Sequence, residues 1–391
     1  MMRFEDDEEE EQNNKNRLEL DSPKGSISSR SSLILFDEKQ LLDDDDEFED
    51  AVAVSVAPDE PEDAQIGSEQ DKVTLSIEDD SRMMSESLNE VKIEDLDEER
   101  KDLPCARDPR IKQSALWTIL KDCVGKDITK CSMPVVLNEP LTLLQRNSEV
   151  FAFNGLIEKA LTEEDSLLRL VYISAYSAAR YFLTNGRIHK PFNPLLGETF
   201  EIVTPTFRSV AEQVSHHPPV LAMHCQGQGY TISKTVNGLI KFTGKSITAL
   251  DPNRFYLKIH PSCLKGALND SEDYSFDNPK MMIGNLIIGD TYVEPQGATE
   301  IVNHSTGERC DLEFKPRGWT SQNKDSVFGE VRDSNGVPKY QIVGKYSQSM
   351  DVINVETQET WQIWKAPEQP KSAERIYGMN NFALQLNLLS E

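Results

Sequence analysis

The chain has 391 residues, of which 41 are Lys or Arg and 67 are Asp or Glu, so its formal net charge is −26. The acidic excess is N-terminal: residues 1–100 carry 34 acidic and 10 basic side chains, whereas residues 101–391 carry 33 and 31. Proteins that bind nucleic-acid phosphates over a broad surface need a basic excess. We therefore exclude general nucleic-acid binding and expect any anionic ligand to bind in a local site.

Residues 1–104 are rich in Asp, Glu and Ser and poor in aromatic residues, so they cannot bury enough apolar surface to offset the entropy of ordering. We predict a disordered acidic tail. The longest apolar run of the chain is shorter than the ~20 residues of a membrane-spanning helix. The start MMRFEDDEEEE also lacks the apolar segment of a signal peptide. These features predict a cytoplasmic protein.

A helix is predicted over residues 114–129, where Ser114 can cap the start and Gly125 favours an end. Its apolar residues follow the spacing of one helix face. They are Leu116, Ile119, Leu120, Cys123 and Val124, with Trp117 at the border. Such a face usually packs permanently on a core, and the alternative is a lid that exposes the face to a membrane.

Residues 139–187 form a second predicted helical region, in which Ser166–Leu183 is a core helix with small residues for close packing. From about residue 199 to 387, short alternating runs are separated by turn residues, which is typical of an all-β structure. The runs are GLIKFTG, RFYLKIH, MMIGNLIIG, ATEIVNH, RCDLEFK, KYQIVGKY, TWQIWK and NFALQLN. Their number favours a closed or nearly closed antiparallel barrel, and a barrel of more than about eight strands encloses a cavity.

The segment KPFNPLLGETF (190–200) contains two prolines and a glycine that fix an irregular backbone. A rigid loop of this kind can present the ammonium of Lys190 and the amide of Asn193 to an anion. The alternative is a strained connection into the first barrel strand, with Lys190 simply solvated.

The segment AEQVSHHPP (211–219) contains a histidine pair. In an extended chain His216 and His217 point to opposite faces, and no third ligand follows at a suitable spacing, so a metal site is disfavoured. Pro218 forces His217 toward an extended conformation, which ends a strand at a rim. The pair there is either structural or a donor of hydrogen bonds to an anion. The sequence contains no nucleotide loop, nucleophile elbow or H-E-x-x-H helix, so we predict no enzymatic activity.

The segment EQVSHHPP is identical to the signature of the oxysterol-binding protein family, and KPFNPLLGETF matches a second block of that family. Further similarity runs through Leu116–Arg146, Phe242–Ser246 and Ile301–Trp319, so that the resemblance covers about residues 105–391 in order. Besides the two histidines, the signature residues are Glu212, Gln213, Val214, Ser215, Pro218 and Pro219.

The resemblance implies a cytosolic lipid carrier that is mainly β with flanking α-helices. A large, near-complete antiparallel β-barrel would enclose a hydrophobic lipid tunnel under an N-terminal helical lid. The implied ligands are a sterol or phosphatidylserine together with phosphatidylinositol 4-phosphate, with no cofactor. By position, the resemblance assigns the lid to residues 114–129 and the 4-phosphate site to Lys190, Asn193, His216 and His217. The alternative is a lipid sensor or scaffold that binds without net transfer.

The sequence departs from the family at its C-terminus. Members usually continue after the last barrel strand into a DSRLRPD-like stretch and a charged helix that adds groups near the phosphoinositide head group, whereas this sequence stops at Glu391. The resemblance therefore predicts that this subdomain is absent: the sequence is either a truncated product or a divergent form with a weakened head-group site and an uncovered barrel flank. The pleckstrin-homology and ankyrin modules of long members are also missing, which leaves membrane targeting to the lid and the tail.

Many relatives carry an acidic tract with two phenylalanines, the FFAT motif, which docks on the endoplasmic-reticulum receptor VAP. Segment 43–53 resembles this motif at Glu47, Phe48, Asp50 and Ala51, but the second aromatic residue is replaced by Glu49. The hypothesis is a peripheral protein at endoplasmic-reticulum contact sites. The alternative is a solvating acidic spacer.

Overall fold

The structure is a computed structural model that describes residues 102, 103, 107, 134–260 and 271–387. These residues belong to one compact unit, Leu88–Glu391. The predicted lid over 114–129, the VAP-binding segment over 43–53 and nearly all of the acidic tail lie outside the described residues. They stay predictions.

Antiparallel strands dominate the fold, as the alternating runs predict. The seventeen strands of the described part are β1 (Asn138–Thr142), β2 (Lys190–Phe192), β3 (Thr199–Val203), β4 (Phe207–His216), β5 (Pro219–Gly227), β6 (Tyr230–Val236), β7 (Leu239–Phe242), β8 (Ile247–Leu250), β9 (Phe255–Ile259), β10 (Glu272–Phe276), β11 (Lys280–Gly284), β12 (Tyr292–Asn303), β13 (Arg309–Phe314), β14 (Ser326–Arg332), β15 (Pro338–Lys345), β16 (Ser349–Asn354) and β17 (Thr360–Lys365). Fifteen of them form one sheet in the order β17-β16-β15-β14-β13-β12-β10-β9-β6-β5-β4-β3, and β11, β8 and β7 extend from β12. Strands β1 and β2 pair separately and in parallel.

The α-helices are α1 (Leu143–Ser148), α2 (Gly155–Ala160), α3 (Ser166–Ala179) and α4 (Asn381–Gln385), with 3-10 turns at Val135–Leu137, Glu149–Phe153 and Arg180–Thr184. Asp165 caps α3 by accepting a hydrogen bond from the Leu167 amide at 3.0 Å. The predicted helical region 139–187 begins instead in strand β1 and is then divided into three α-helices and two 3-10 turns. Among the described helices, none is long and apolar enough to cross a bilayer.

The core lies between α3 and one face of the sheet. Helix α3 packs against β12, β13, β14, β15 and β17, and its Ala175, Ala178 and Ala179 are fully buried. These small side chains allow the helix to approach the strands closely. On the sheet side, Phe255 and Phe276 stack with ring centroids 5.0 Å apart. Burial of this apolar surface is the main source of stability.

Two of the predicted strands differ in the structure. The run NFALQLN is helix α4, because Asn380 caps it by accepting from the Ala383 amide at 2.7 Å and because the adjacent Ala383 and Leu384 both pack against a small core with Leu141. Only the first half of MMIGNLIIG is a strand, since Asn285 adopts a left-handed φ of 58° and ends β11.

The mainly-β prediction is confirmed, and the sheet is large and antiparallel. No pairing joins β3 to β17 in the part of the chain that the structure describes, so these strands are the edges of the sheet. Closure into a barrel and a lipid tunnel stay predictions.

Candidate functional site

The two segments singled out in the sequence meet at the edge strand β3. Strand β3 runs antiparallel to β4, with Thr199 opposite Glu212. The pairing continues before β3 begins: the Gly197 amide donates to the Gln213 carbonyl at 2.9 Å, and the Gln213 amide donates to the Glu198 carbonyl at 3.0 Å. The KPFNPLLGE loop therefore lies directly beside the EQVSHHPP strand.

Lys190 and Asn193 form a hydrogen-bonded pair at the start of this loop. The Lys190 ammonium donates to the Asn193 amide oxygen at 2.6 Å and to the Pro191 carbonyl at 3.2 Å. Both side chains are exposed at the surface, and partial desolvation lowers the pKa of Lys190 below its usual value. The two acceptors are neutral, so the cation has charge to offer an anion.

Local turn chemistry holds the loop in place. The Leu195 amide donates to the Glu198 carboxylate at 2.8 Å, and Gly197 adopts a left-handed φ of 76° that favours glycine. At the other side of the loop, the Asn138 side-chain amide donates to the Pro191 carbonyl at 3.2 Å. These contacts tie the segment to β1 and to β4.

His216 and His217 lie together at the turn between β4 and β5. Their ring centroids are 4.6 Å apart with the planes at 65°, and both residues are exposed. The prediction that they point to opposite faces is wrong, because the chain does not stay extended: His216 pairs with Pro219 across a tight turn that contains a cis His217–Pro218 bond. Both imidazoles can therefore reach one small ligand.

The other signature residues shape this turn. The Ser215 hydroxyl donates to the Pro218 carbonyl at 2.7 Å, and the Gln213 side-chain amide donates to the Ser215 carbonyl at 2.7 Å. Gln213 is buried, and its Oε1 atom has no hydrogen-bond partner among the described residues. Glu212 and Val214 are exposed on the other face of β4, and Pro218 and Pro219 are exposed in the turn. The positioning role of Gln213 and Ser215 was not predicted.

Within the described residues, each of the two predicted pairs is in direct contact, and the backbone bonds of Gly197 and Gln213 and the pairing of β3 with β4 join the two segments that carry them. An ammonium, an amide and two imidazoles on adjoining segments can donate several hydrogen bonds to one phosphate group. No group of three or more His, Cys, Asp and Glu suited to a metal ion occurs in the described part.

Apolar groups that the sequence did not predict also lie beside the site. Leu195 and Leu196, in the loop itself, are largely exposed, and so is Phe192 to a smaller extent.

A separate cavity of about 570 Å³ lies between α2, β17 and α4. Phe153, Leu156, Trp364 and Phe382 are among the residues that line it, and none of the four candidate site residues does.

The family model described as oxysterol-binding protein matches residues 115–391. The chain belongs to the oxysterol-binding protein family. This confirms the resemblance found from the EQVSHHPP and KPFNPLLGETF segments.

Similar proteins support the assignment. The chain is 34% identical over 313 residues to "Oxysterol-binding protein homolog 2" of Saccharomyces cerevisiae, an alignment that covers 74% of this chain and 24% of that protein. It is 36% identical over 240 residues to human "Oxysterol-binding protein-related protein 2", covering 60% and 48%. The chain thus spans about a quarter of the first of these curated relatives and about half of the second.

Two solved structures share the fold. The Osh1 ORD domain in complex with ergosterol aligns with a TM-score of 0.68 at 32% identity, covering 75% of this chain and 72% of that one. The Osh3 ORD from Saccharomyces cerevisiae in complex with PI(4)P aligns with a TM-score of 0.64 at 30% identity, covering 74% and 75%.

Proposed function

We propose that the protein binds lipids and transfers them between organelle membranes, taking phosphatidylinositol 4-phosphate and a sterol or phosphatidylserine as alternative cargoes. The observation that carries the proposal is the backbone pairing of Gly197 with Gln213, which brings the Lys190 loop beside the His216 turn. Two relatives with the same fold support the ligand classes, one bound to ergosterol and one to PI(4)P.

The proposed head-group site would work by partner exchange. A phosphomonoester replaces the Asn193 oxygen as acceptor for the Lys190 ammonium, which frees the Asn193 amide group to turn its N–H donors toward the ligand. The imidazoles of His216 and His217 then donate from the adjoining turn. Charge-assisted hydrogen bonds of this kind are stronger than neutral ones.

The apolar parts of either cargo would be held by burial, which contributes about 25 cal/mol for each Å² removed from water. The two cargoes would compete for one cavity, so a gradient of one lipid would drive transport of the other. No covalent chemistry is involved, and we propose no enzymatic activity or cofactor.

Two parts of the proposal rest on the sequence alone. We propose that the helix over 114–129 closes on bound lipid, and that segment 43–53 docks on VAP at the endoplasmic reticulum. Removal of residues 114–129 should speed the release of bound lipid. Phe48→Ala should abolish VAP capture in a pull-down, and unchanged capture would contradict the docking hypothesis.

A liposome transfer assay with labelled phosphatidylinositol 4-phosphate and a labelled sterol tests the main proposal. The double variant His216→Ala/His217→Ala should reduce phosphoinositide transfer at least about tenfold, because two charge-assisted donors are lost. Sterol transfer should stay within about twofold, since a sterol carries no phosphate. His224→Ala is the matched control, because His224 is also exposed but lies in the middle of β5.

The outcomes separate the alternatives. Equal loss of both cargoes in a folded double variant would assign the pair a structural role. Tight binding of both lipids without turnover would support a sensor or scaffold instead of a carrier.

A further inference from the structure

Three large apolar side chains project into solvent from two ordered connections. Ile287 and Ile288 lie in residues 285–291, between β11 and β12, and Trp319 lies in residues 315–325, between β13 and β14. Ile288 is 83% exposed and Trp319 is 101% exposed. Exposure of a tryptophan and an adjacent isoleucine pair at loop tips is typical of an interaction surface.

The connection 285–291 is fixed by its own contacts. Leu286 is buried and anchors it, while the next two residues point outward. The Asn285 side-chain amide donates to the Asp290 carbonyl at 3.2 Å, and the Thr291 hydroxyl donates to the Asn285 carbonyl at 3.3 Å. The apolar tip is thus presented by a closed turn.

The connection 315–325 is held against the start of β12. The Arg317 guanidinium lies 3.4 Å from the Tyr292 ring centroid and donates from Nε to the buried Glu294 carboxylate at 2.9 Å. Within the connection, the Asn323 amide donates to the Arg317 carbonyl at 3.2 Å. Since Tyr292 directly follows 285–291, Arg317 brings the bases of the two connections to one place.

This place lies at the end of the sheet that carries the candidate site, which we call the His216 end. Strand β4 ends there. In each neighbouring strand from β5 to β13, the residue pairs show which strand end lies on the same side of the sheet. The pairs that trace it are Leu221–Val236, Lys234–Phe255, Phe255–Phe276, Phe276–Ile301 and Gly297–Phe314. Both connections extend beyond the last of these pairs.

The charges beside the tips are mostly basic, although Asp290 in the first connection is also exposed. Lys245, Lys315 and Lys324 are exposed in the connections of the His216 end, and none of them forms an ion pair with a described residue. The described connections of the opposite end contain no Lys or Arg. They hold the acidic residues Glu308, Asp333, Glu356 and Glu359.

We propose that Trp319, Ile287 and Ile288, with the three lysines around them, form a docking surface for an anionic bilayer. Indole and isoleucine side chains partition into the interface region of a bilayer, and lysines beside them contact acidic head groups. Docking in this orientation presents the Lys190 loop and the His216 turn to the same membrane. The inference rests on the proposed lipid-binding function, because it supplies the orientation in which that function operates.

Co-sedimentation of the full chain with vesicles tests the docking surface. The vesicles contain phosphatidylcholine and the anionic lipid phosphatidylglycerol, without phosphoinositide, sterol or phosphatidylserine, so that docking is measured without any proposed cargo. The variant Trp319→Ser/Ile288→Ser should lower the partition coefficient at least about tenfold, because it removes the inserted apolar surface. Val337→Ser is the matched control, since Val337 is an exposed apolar residue in a turn of the opposite end.

A second measurement keeps the test independent of folding defects. Trp319→Phe should bind vesicles like wild type. Brominated lipid should quench a smaller fraction of its tryptophan fluorescence than of the wild-type fluorescence, because the inserted indole is absent. Replacing Lys245, Lys315 and Lys324 with Gln should weaken binding to the phosphatidylglycerol vesicles and leave binding to neutral phosphatidylcholine vesicles unchanged.

Either of two results would overturn the proposal: wild-type partition by Trp319→Ser/Ile288→Ser, or no vesicle binding by the wild-type chain. A protein that docks on these vesicles but transfers no lipid would contradict the proposed function and leave the docking surface intact. If the wild-type protein transfers lipid and Trp319→Ser/Ile288→Ser docks like wild type, the docking surface is contradicted and the proposed function stands.

Discussion

At the opposite end of the sheet, the hairpin turns after β14 and β16 satisfy backbone amides with their own side chains, whereas the His216 end keeps donors and apolar groups turned outward. The Asp333 carboxylate accepts from the Asn335 and Val337 amides at 2.9 and 3.0 Å, and the Asn354 side chain accepts in the same way in the next hairpin. At the His216 end, Lys190 is held only by neutral oxygens.

The difference suggests a division of tasks between the two ends. Turns that satisfy their own polar groups stabilise the fold and have little capacity left for a ligand. The Lys190 loop has a cation without a carboxylate partner, beside exposed leucines, so its polar and apolar groups remain available to bind a ligand. Variants at matched positions of the two ends can break or sharpen this comparison.

The largest expected effect concerns the ion-pair network behind the Lys190 loop. Arg187 donates to Glu139 at 2.8 and 3.0 Å and to Glu149 at 2.9 and 3.1 Å, and all three side chains are buried. Burial alone would raise the pKa of Glu139, but Arg146 and Arg187 outweigh burial and lower it. Arg187→Leu leaves the two buried carboxylates with only the longer contacts to Arg146, at 3.7 and 3.8 Å, so the free energy of unfolding should fall by about 3–5 kcal/mol in urea titrations.

Arg332→Leu provides the control near the opposite end. Arg332 is half-exposed and pairs with Asp311 at 3.6 Å, so the loss should be at most about 1 kcal/mol. Similar losses for both arginines would mean that the buried network contributes no more than a surface pair.

The next effect concerns ligand affinity. Lys190→Ala should weaken phosphatidylinositol 4-phosphate binding by about 10- to 100-fold, which corresponds to the ~1.5–3 kcal/mol of a hydrogen bond to a charged group. Lys339→Ala, which removes a lysine that pairs with Asp333 at 3.6 Å, should leave that affinity unchanged. Isothermal titration with a short-chain phosphoinositide measures both, and equal affinities for the two variants would remove Lys190 from the site.

Alanine substitutions at two glycines distinguish an effect on stability from an effect on ligand binding. Gly197 and Gly336 have φ values of 76° and 81°, and a Cβ atom at either position would meet no atom closer than 3.8 Å. Alanine should therefore cost about 1–2 kcal/mol at both positions, through backbone strain alone. Only Gly197→Ala should also weaken phosphoinositide binding, because Gly197 positions the loop against Gln213. A loss of binding in Gly336→Ala would contradict the division between the two ends.

The smallest effect is a pH dependence at the opposite end. Hydrogen bonds from the Val337 and Asn335 amides lower the pKa of Asp333 below its usual value, although slight desolvation opposes them. Asp333 therefore adds stability that is present above its unfolded-state pKa, about 4, and is lost as the pH falls through the lower folded-state pKa. Asp333→Asn should destabilise the protein more at pH 7 than at pH 2.5. An equal effect at both pH values would exclude an ionic contribution.

Local patterns were sufficient for the regular parts of the sheet. The run TWQIWK coincides with β17, Thr360–Lys365. Its alternating residues lie between a turn on the N-terminal side and a segment without strand structure on the C-terminal side. The run NFALQLN alternates equally well and is a helix, since the cap at Asn380 and the packing of Leu384 on Leu141 favour that conformation. Alternation over seven residues cannot distinguish the two when tertiary contacts bury adjacent residues.

The sequence by itself determined the family, the mainly-β class and the four candidate site residues, because the EQVSHHPP and KPFNPLLGETF segments are contiguous and their chemistry is local. The tertiary structure decided that these segments adjoin through Gly197 and Gln213, that His216 and His217 share one side of a turn, and that Trp319 and Ile288 are exposed at the same end. The physical reason is that strand register and the exposure of a loop tip depend on contacts between residues far apart in the chain, and no short pattern contains them.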